Sequence, residues 1–504
     1  MLAPDYLDHA PDRLVLLWQQ VEDDILRDVA RRISKMETLT PTANWQLWRY
    51  QQTEAVRQDV IKKLARYTGK SEAAIRQLMQ EAATRALEAE DQIYYHYNLE
   101  PTPFAENETL QALLNAGYQQ TAGTFSNLTA TTANTVSGQF EAALDRAHLK
   151  VSTGAFDYKS AIKSAVDSLA DTMKYVTYPT GHQDTLEVAC RRAVLTGVNQ
   201  TAGKLQEARM DEMHVGFVET SAHGGARPSH AEWQGRQFHR GGAVDYLGKH
   251  YPDFYEATAY GTGGGIYGWN CAHTHWSIFP ELGAPPAWTQ ESLDALNARD
   301  IEYDGKMYTQ YEINQMQRAR ERTVRKYKRR YLAEDAAGAD TTQSAVKLRA
   351  ARAELADFTA RTGGRVDSAR TMVSGFGRSA SSKATWAAKK QERLDAVNND
   401  LTELRQSGKI RMTGAAVVPP ALPNTLNFEG HSLEQMAKRQ ISLAQANEIA
   451  EHAILAISQR NGTQHSYYSD KGFIVIKQDG SIGTVGWLDD GGKQIVEVMK
   501  KHGF

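Results

Sequence analysis

Apolar residues recur every three to four positions through roughly the first two hundred residues, the period that predicts amphipathic helices. Leu14, Leu17, Val21, Ile25, Val29 and Ile33 form one such stripe, on a helix that Asp12 is placed to cap. Trp45, Trp48, Val56, Val60, Leu64 and Tyr67 form a second, expected to stop at Gly69, with Ser71 and Glu72 opening a third helix. The stretch TAGTFSNLTATTANT (121–135) argues against helix locally, because threonine loses rotamer freedom there and asparagine competes for backbone hydrogen bonds. Helices are predicted again over 158–174, with Ile162, Val166, Leu169 and Met173 inward, and over 184–211. No strand alternation competes in this region.

From about residue 212 the helical period disappears. Glycines and aromatics cluster, as in GTGGGIYGWN, and VGFVETS (215–221) reads as a strand. Helix returns with TQYEINQMQRARERTVRKYKRRYLAED (309–335), long, basic and amphipathic, and alanine-rich 343–362 reads as its antiparallel partner across AAGADT. TGGRVDSARTMVSGFGRSASSK (362–383) reads as linker. After the proline-marked VVPPALPN (417–424) come a predicted helix over 431–458, a hairpin turning at Gln478-Asp479-Gly480, and a short closing helix. The expected fold is mainly α-helical and multidomain, with a small loop-rich central α+β domain and a C-terminal α+β module. Its parts are a helical N-terminal domain (1–211), the central domain (212–290), a basic helical hairpin with linker (291–410), and the module (411–504).

Bulk properties narrow the partners. A chain of 504 residues supports two to four domains, and 41% hydrophobic with 23% charged residues is a folding composition. The formal net charge of −2 offers no overall attraction to nucleic acid or membrane, so any such contact needs a local patch. Two distant cysteines, Cys190 and Cys271, exclude a disulfide scaffold and suit a reducing compartment. The opening MLAPDYLDHAPDR lacks a signal peptide's basic and apolar regions, and no apolar run reaches membrane-spanning length. The expectation is a protein made in the cytoplasm, with no membrane partner.

Candidate chemistry concentrates in ARPSHAEWQGRQF (226–238) and GWNCAHTHW (268–276). Arg227, His230, Trp233, Gly235, Trp269, Cys271 and His273 read as one structural motif. His223, His230, Cys271 and His273 are donors of the kind that hold zinc, but their spacing matches no standard zinc pattern. Packing and hydrogen bonding are therefore the preferred reading, with no cofactor, and a structural zinc is the alternative. His230-Ala-Glu232 imitates half of a zinc-deaminase signature whose cysteine pair is missing, and GTGGG lacks the lysine of a phosphate loop. Arg318, Arg322, Arg325, Lys326, Lys328, Arg329 and Arg330 form the strongest local charge, placed to lie along a nucleic-acid backbone. In the module His431, Lys438, Arg439 and His465, with Tyr468, are of the types that cleave RNA without metal.

The two motifs, in the fuller forms TSAHGGARPSHAEWQGRQF (220–238) and YGTGGGIYGWNCAHTHWSIFPE (260–281), resemble the core signature of the tailed-phage minor capsid protein 2 family. VSTGAFDYKSAIKSAVDSLAD (151–171), RRAVLTGVNQTAGKLQEAR (191–209), YEINQMQRARERTVRKYKRR (311–330) and the N-terminal YLDHAPDRLVLLWQQVEDDILRDVARRISKM are similar to the family's helices in the same order. The resemblance covers about residues 1–365. One departure is Ala272, where the family usually has a basic residue. The resemblance implies a structural, non-enzymatic role in head morphogenesis: a few copies inside the virion at the portal vertex, assembled in the host cytoplasm. Implied partners are the portal protein, through the N-terminal helices, the major capsid protein, and packaged double-stranded DNA during packaging or ejection. Family members carry variable C-terminal additions, some similar to ribonuclease-like toxins, so a virion-delivered nuclease acting through the module is the alternative.

Overall fold

The stripes of the N-terminal region are the inner faces of long helices. The computed structural model describes residues 2–36, 43–153, 157–178, 180–283 and 285–504. Helix α1 (Pro4–His9) precedes α2 (Asp12–Ser34), where Leu14, Val21, Ile25, Val29 and Ile33 are buried as expected. Leu17 is only half-buried, and Trp18 fills the core beside it. Asp12 does not cap α2. It is the first helical residue, and its carboxylate accepts from Arg191 Nη2 at 2.6 Å.

Two predicted interruptions do not occur. Helix α3 runs unbroken from Ala43 to His96, through Gly69 and Ser71. Ser71 Oγ bonds back to the Tyr67 carbonyl at 2.9 Å and accepts from Trp18 Nε1 at 2.9 Å, so the side chain that was to start a helix is spent inside one. Helix α4 (Glu108–Ser152) runs straight through 121–135. There Thr121 returns its hydroxyl to the Gly117 carbonyl at 2.9 Å. Burial against α3 over most of their length outweighs propensities of a few tenths of a kcal/mol per residue. Helix α5 (Tyr158–Thr172) follows, then a short hairpin absent from the sequence prediction, β1 (Val176–Thr177) with β2 (Gln183–Asp184), and α6 (Leu186–Glu212). These helices enclose one core that includes Trp18, Phe125, Phe140 and Cys190.

The predicted strand at 215–221 is β3 (Phe217–Thr220), the middle of a three-stranded antiparallel sheet. After α7 (Pro228–Ala231) its neighbour β4 (Gln237–His239) places Phe238 opposite Val218. A hairpin of β5 (Val244–Tyr246) and β6 (Lys249–Tyr251) and helix α8 (Phe254–Ala257) lead to β7 (His275–Ser277) on the other side of β3. The core of this sheet takes in Tyr94 from α3 and Met210 from α6, so the central region is built onto the helices.

Next come α9 (Gln290–Leu296), the hairpin β8 (Arg299–Tyr303) and β9 (Lys306–Thr309), and the basic helix α10 (Gln310–Ala336). Thr309 and Glu312 start α10 with a reciprocal capping box. Helix α11 (Thr342–Thr362) packs back on α10, and α10 also lies against α2 and α5. The stretch read as linker contains α12 (Ser368–Thr371) and the start of α13 (Arg378–Gln406).

The chain divides into two compact units after Ser381. In the second, five antiparallel strands stand in sequence order: β10 (Ala415–Val417), β11 (Leu455–Gln459), β12 (Gln464–Tyr468), β13 (Gly472–Lys477) and β14 (Ile482–Trp487). The helix predicted over 431–458 is instead α14 (His431–Arg439), α15 (Leu443–Glu451) and strand β11. Gln440 in the left-handed region ends α14. Alternation sorts the strands between two faces. Leu455, Ile457 and Tyr468 meet α13 and the last helix, α16 (Asp490–Lys501), while Ala456, Tyr467 and Ile474 meet α14 and α15. No described helix is long and apolar enough to cross a membrane.

Candidate functional site

The two motif segments meet beneath the three-stranded sheet. Pro228 starts α7, whose single turn directs His230 inward, and the extended run before β7 delivers Cys271 and His273. His230 Nδ1 and His273 Nδ1 are 3.2 Å apart, and Cys271 Sγ lies 3.9 and 3.7 Å from them. All three residues are buried.

The outer nitrogens of both rings are committed. His230 Nε2 is 2.8 Å from the Gly264 carbonyl, which only accepts, so that nitrogen carries the proton. His273 Nε2 is 3.1 Å from Gln234 Oε1. The Gln234 amide is oriented in turn, since its Nε2 donates to Asn297 Oδ1 at 3.2 Å and Asn297 Nδ2 donates to the Leu293 carbonyl at 3.0 Å. The His273 backbone N–H donates to Cys271 Sγ at 3.3 Å. Burial holds His230 down to about 4 and His273 well below the usual imidazole range, so both are neutral at physiological pH. Burial also pushes the Cys271 thiol up. His223 is beside the set, its ring 4.4 Å from that of His273, with Nε2 buried and lacking a hydrogen-bond partner.

The rest of the motif frames this centre. Trp233 lies 4.6 Å from the His230 ring and 4.8 Å from that of His273. Arg227 donates to the Trp269 carbonyl, while the Trp269 ring is exposed and covers Gly263. Gly235 sits at φ +66, and a Cβ there would run into Leu293 and Trp288. The GTGGG run is a tight turn, because a Cβ at Gly265 would overlap the Ala259 carbonyl. Helix α6 holds the second segment from behind, with Asn199 Nδ2 donating to the Cys271 carbonyl at 2.9 Å and Gln206 Nε2 to the His275 carbonyl at 2.9 Å. Ala272 packs against the helical core, where a long basic side chain has no counterpart in this chain.

Sequence reasoning missed a second buried cluster. Glu207 Oε1 is 3.1 Å from His275 Nε2, and its other oxygen accepts from Arg240 at 3.0 Å and Tyr255 at 2.7 Å. Burial would raise Glu207, but His275, Arg240 and Tyr255 outweigh it and hold the carboxyl down to about 2. Only His275, inside the second motif, carried a sequence signal. Around the first cluster, Gln234 and Gly264 lay inside the quoted motifs without being singled out, and Asn297 carried no signal, because their work is to orient others.

The basic stretch does not form an open cationic face. Arg329 is within 2.8 Å of Glu22 and 2.9 Å of Asp23, Arg325 pairs with Glu187, and Arg330 reaches Asp167 and Glu334. Lys328 donates to the Thr371 carbonyl. Arg318 lines a groove with Arg322, Asp8, Asp12 and Arg370, a mixed surface rather than a positive one. Arg322 and Lys326 are exposed, and Lys326 is 3.2 Å from Asp171. In the second unit, His431 and Arg439 share a shallow cleft with Glu429, Arg460 and Lys477. Lys438 and His465 do not line it.

These features define a mainly helical protein whose small central sheet is built onto α3 and α6 and encloses a buried cluster of His230, Cys271 and His273. A family model described as phage minor capsid protein 2 matches residues 2–360, and the chain belongs to that family. It is a structural capsid protein of a bacteriophage. No curated protein and no solved structure matches the chain.

Proposed function

We propose that the protein acts at the portal vertex inside the head, joining portal and major capsid proteins during assembly and serving genome packaging or ejection. The family match carries this reading, because it spans the N-terminal helices, the central region and the α10–α11 hairpin as one piece. A supporting observation is the apolar end of the α3/α4 pair. Leu47 and Tyr50 on α3 and Leu149 on α4 are exposed there, near the stacked Trp45 and His148. Exposed apolar side chains gathered at one place mark interaction sites. DNA contact through α10 would fall to Arg322 and Lys326 rather than to the whole basic stretch.

The test compares heads assembled with and without portal protein, with this protein quantified by mass spectrometry. Low-copy incorporation that disappears without portal is expected, as is reduced incorporation of a Leu47→Asp, Tyr50→Asp variant. Equal incorporation into portal-less heads would sink the reading.

A further inference from the structure

We propose that His230, Cys271 and His273 hold one zinc(II) ion, which fastens the two motif segments together. The argument starts from protons. The Gly264 carbonyl fixes a proton on His230 Nε2, and the oriented Gln234 amide does the same for His273. Both Nδ1 atoms then present bare lone pairs to each other at 3.2 Å. Two facing lone pairs repel unless a cation lies between them. A metal ion is such a cation, and Cys271 Sγ, within 3.9 Å of both nitrogens, offers it a third ligand.

The spacings match zinc. Bonds of ~2.05 Å to nitrogen and ~2.3 Å to sulfur at tetrahedral angles put N···N at about 3.3 Å and N···S at about 3.6 Å. The observed separations are 3.2 Å between the nitrogens and 3.7 and 3.9 Å from sulfur to nitrogen. Oxygen-seeking magnesium and calcium are poorly suited to two imidazoles and a thiol. The surroundings are those of a metal site: each imidazole donates its far N–H to a carbonyl oxygen, and a backbone N–H donates to the sulfur, stabilising thiolate. Binding displaces the Cys271 proton to solvent, and the two imidazoles need lose none. His223, its ring 4.4 Å from that of His273 and its Nε2 without a hydrogen-bond partner, is the neighbouring side chain we assign to the fourth position. Sequence spacing hid the set because the fold draws one ligand from a single-turn helix and two from an extended strand lead, 41 residues apart.

The experiment uses tag-free full-length protein, metal analysis, and reconstitution with cobalt(II), whose spectrum reports thiolate ligation and tetrahedral geometry. About one zinc per chain is expected in the wild type and in Cys190→Ala, and loss in Cys271→Ser and His273→Gln. Gln234→Ala, which releases the His273 ring along with the bonds to His223 N and Asn297, is expected to weaken zinc about 10- to 100-fold while the fold is kept. Should Cys271→Ser fail to fold, the wild type decides: a strong chelator lowers its melting temperature, and zinc but not magnesium restores it. Metal-free wild type giving no cobalt–thiolate band, zinc retained at full stoichiometry in folded Cys271→Ser, or a melting temperature indifferent to chelator would each overturn the proposal.

Discussion

Arg329 sits with its guanidinium against two carboxylates that α2 buries, Glu22 and Asp23, and beside Glu187 of α6. Removing a buried guanidinium leaves those carboxylates unpaired, so Arg329→Met is expected to cost about 3–5 kcal/mol, read from chemical denaturation. Arg322→Met, on the exposed side of the same helix, should change stability by less than about 0.5 kcal/mol. The same network sets a pH dependence. Burial, opposed by Arg329, lifts Glu22 from 4.5 to about 7, and burial lifts Glu334 likewise to about 7. Between 4.5 and about 7 these groups hold protons in the folded chain that the unfolded chain has released. Folding takes up protons in that window, so this contribution to stability is present in acid and is lost as pH rises through it. The depressed imidazoles of His230 and His273 act with the opposite sign below about pH 6.5, so the test is the difference between variants: relative to the wild type, Glu22→Gln should gain melting temperature as pH rises from about 5 to about 7. An unchanged slope in that variant would remove Glu22 from the account.

Among elements, two kinds of glycine look alike in sequence and behave oppositely. Gly69 lies within α3 with nothing near the position of an added Cβ. Gly69→Ala should therefore stabilise by about 0.5–1 kcal/mol, through helix propensity alone. Gly117 on α4 and Gly197 on α6 form a reciprocal notch, each taking a threonine of the other helix, Thr201 and Thr121. Gly117→Ala should cost about 1–3 kcal/mol, since the added methyl meets Thr201 directly. Thermal melts of the two variants in parallel check both signs. The same contrast explains which elements were legible. Periodic burial predicted α2, α5, α6 and α10 because their apolar faces are long enough to impose the period. The local signals at Gly69, Ser71 and 121–135 failed because a helix already packed along its neighbours absorbs a weak residue, and Ser71 and Thr121 satisfy their hydroxyls on the preceding turn.

At the level of the whole chain, the division after Ser381 predicts that residues 382–504 fold alone. Expressed separately they should show a cooperative melt and the strand signal of a five-stranded sheet, and their removal should leave the metal content of residues 1–381 unchanged. A non-cooperative melt would show that this segment depends on the rest of the chain. The same fragment tests the nuclease alternative: it should be toxic when expressed, and His431→Ala should relieve toxicity, if the cleft shared by His431 and Arg439 is catalytic.

Sequence alone determined what depends on neighbours along the chain. The mainly helical class, the hairpin at Asp479-Gly480, the long basic helix from about residue 309 and the family carried by the two motifs are all of this kind. Tertiary structure decided whatever depends on residues distant in sequence. It turned a basic helix into the inner half of an ion network by setting it on acidic α2, α5 and α6. It also brought His230, Cys271 and His273 within donor range. Charge and ligand type are written residue by residue, but whether a cation faces solvent or a carboxylate, and whether two imidazoles meet, depends on which surfaces burial presses together.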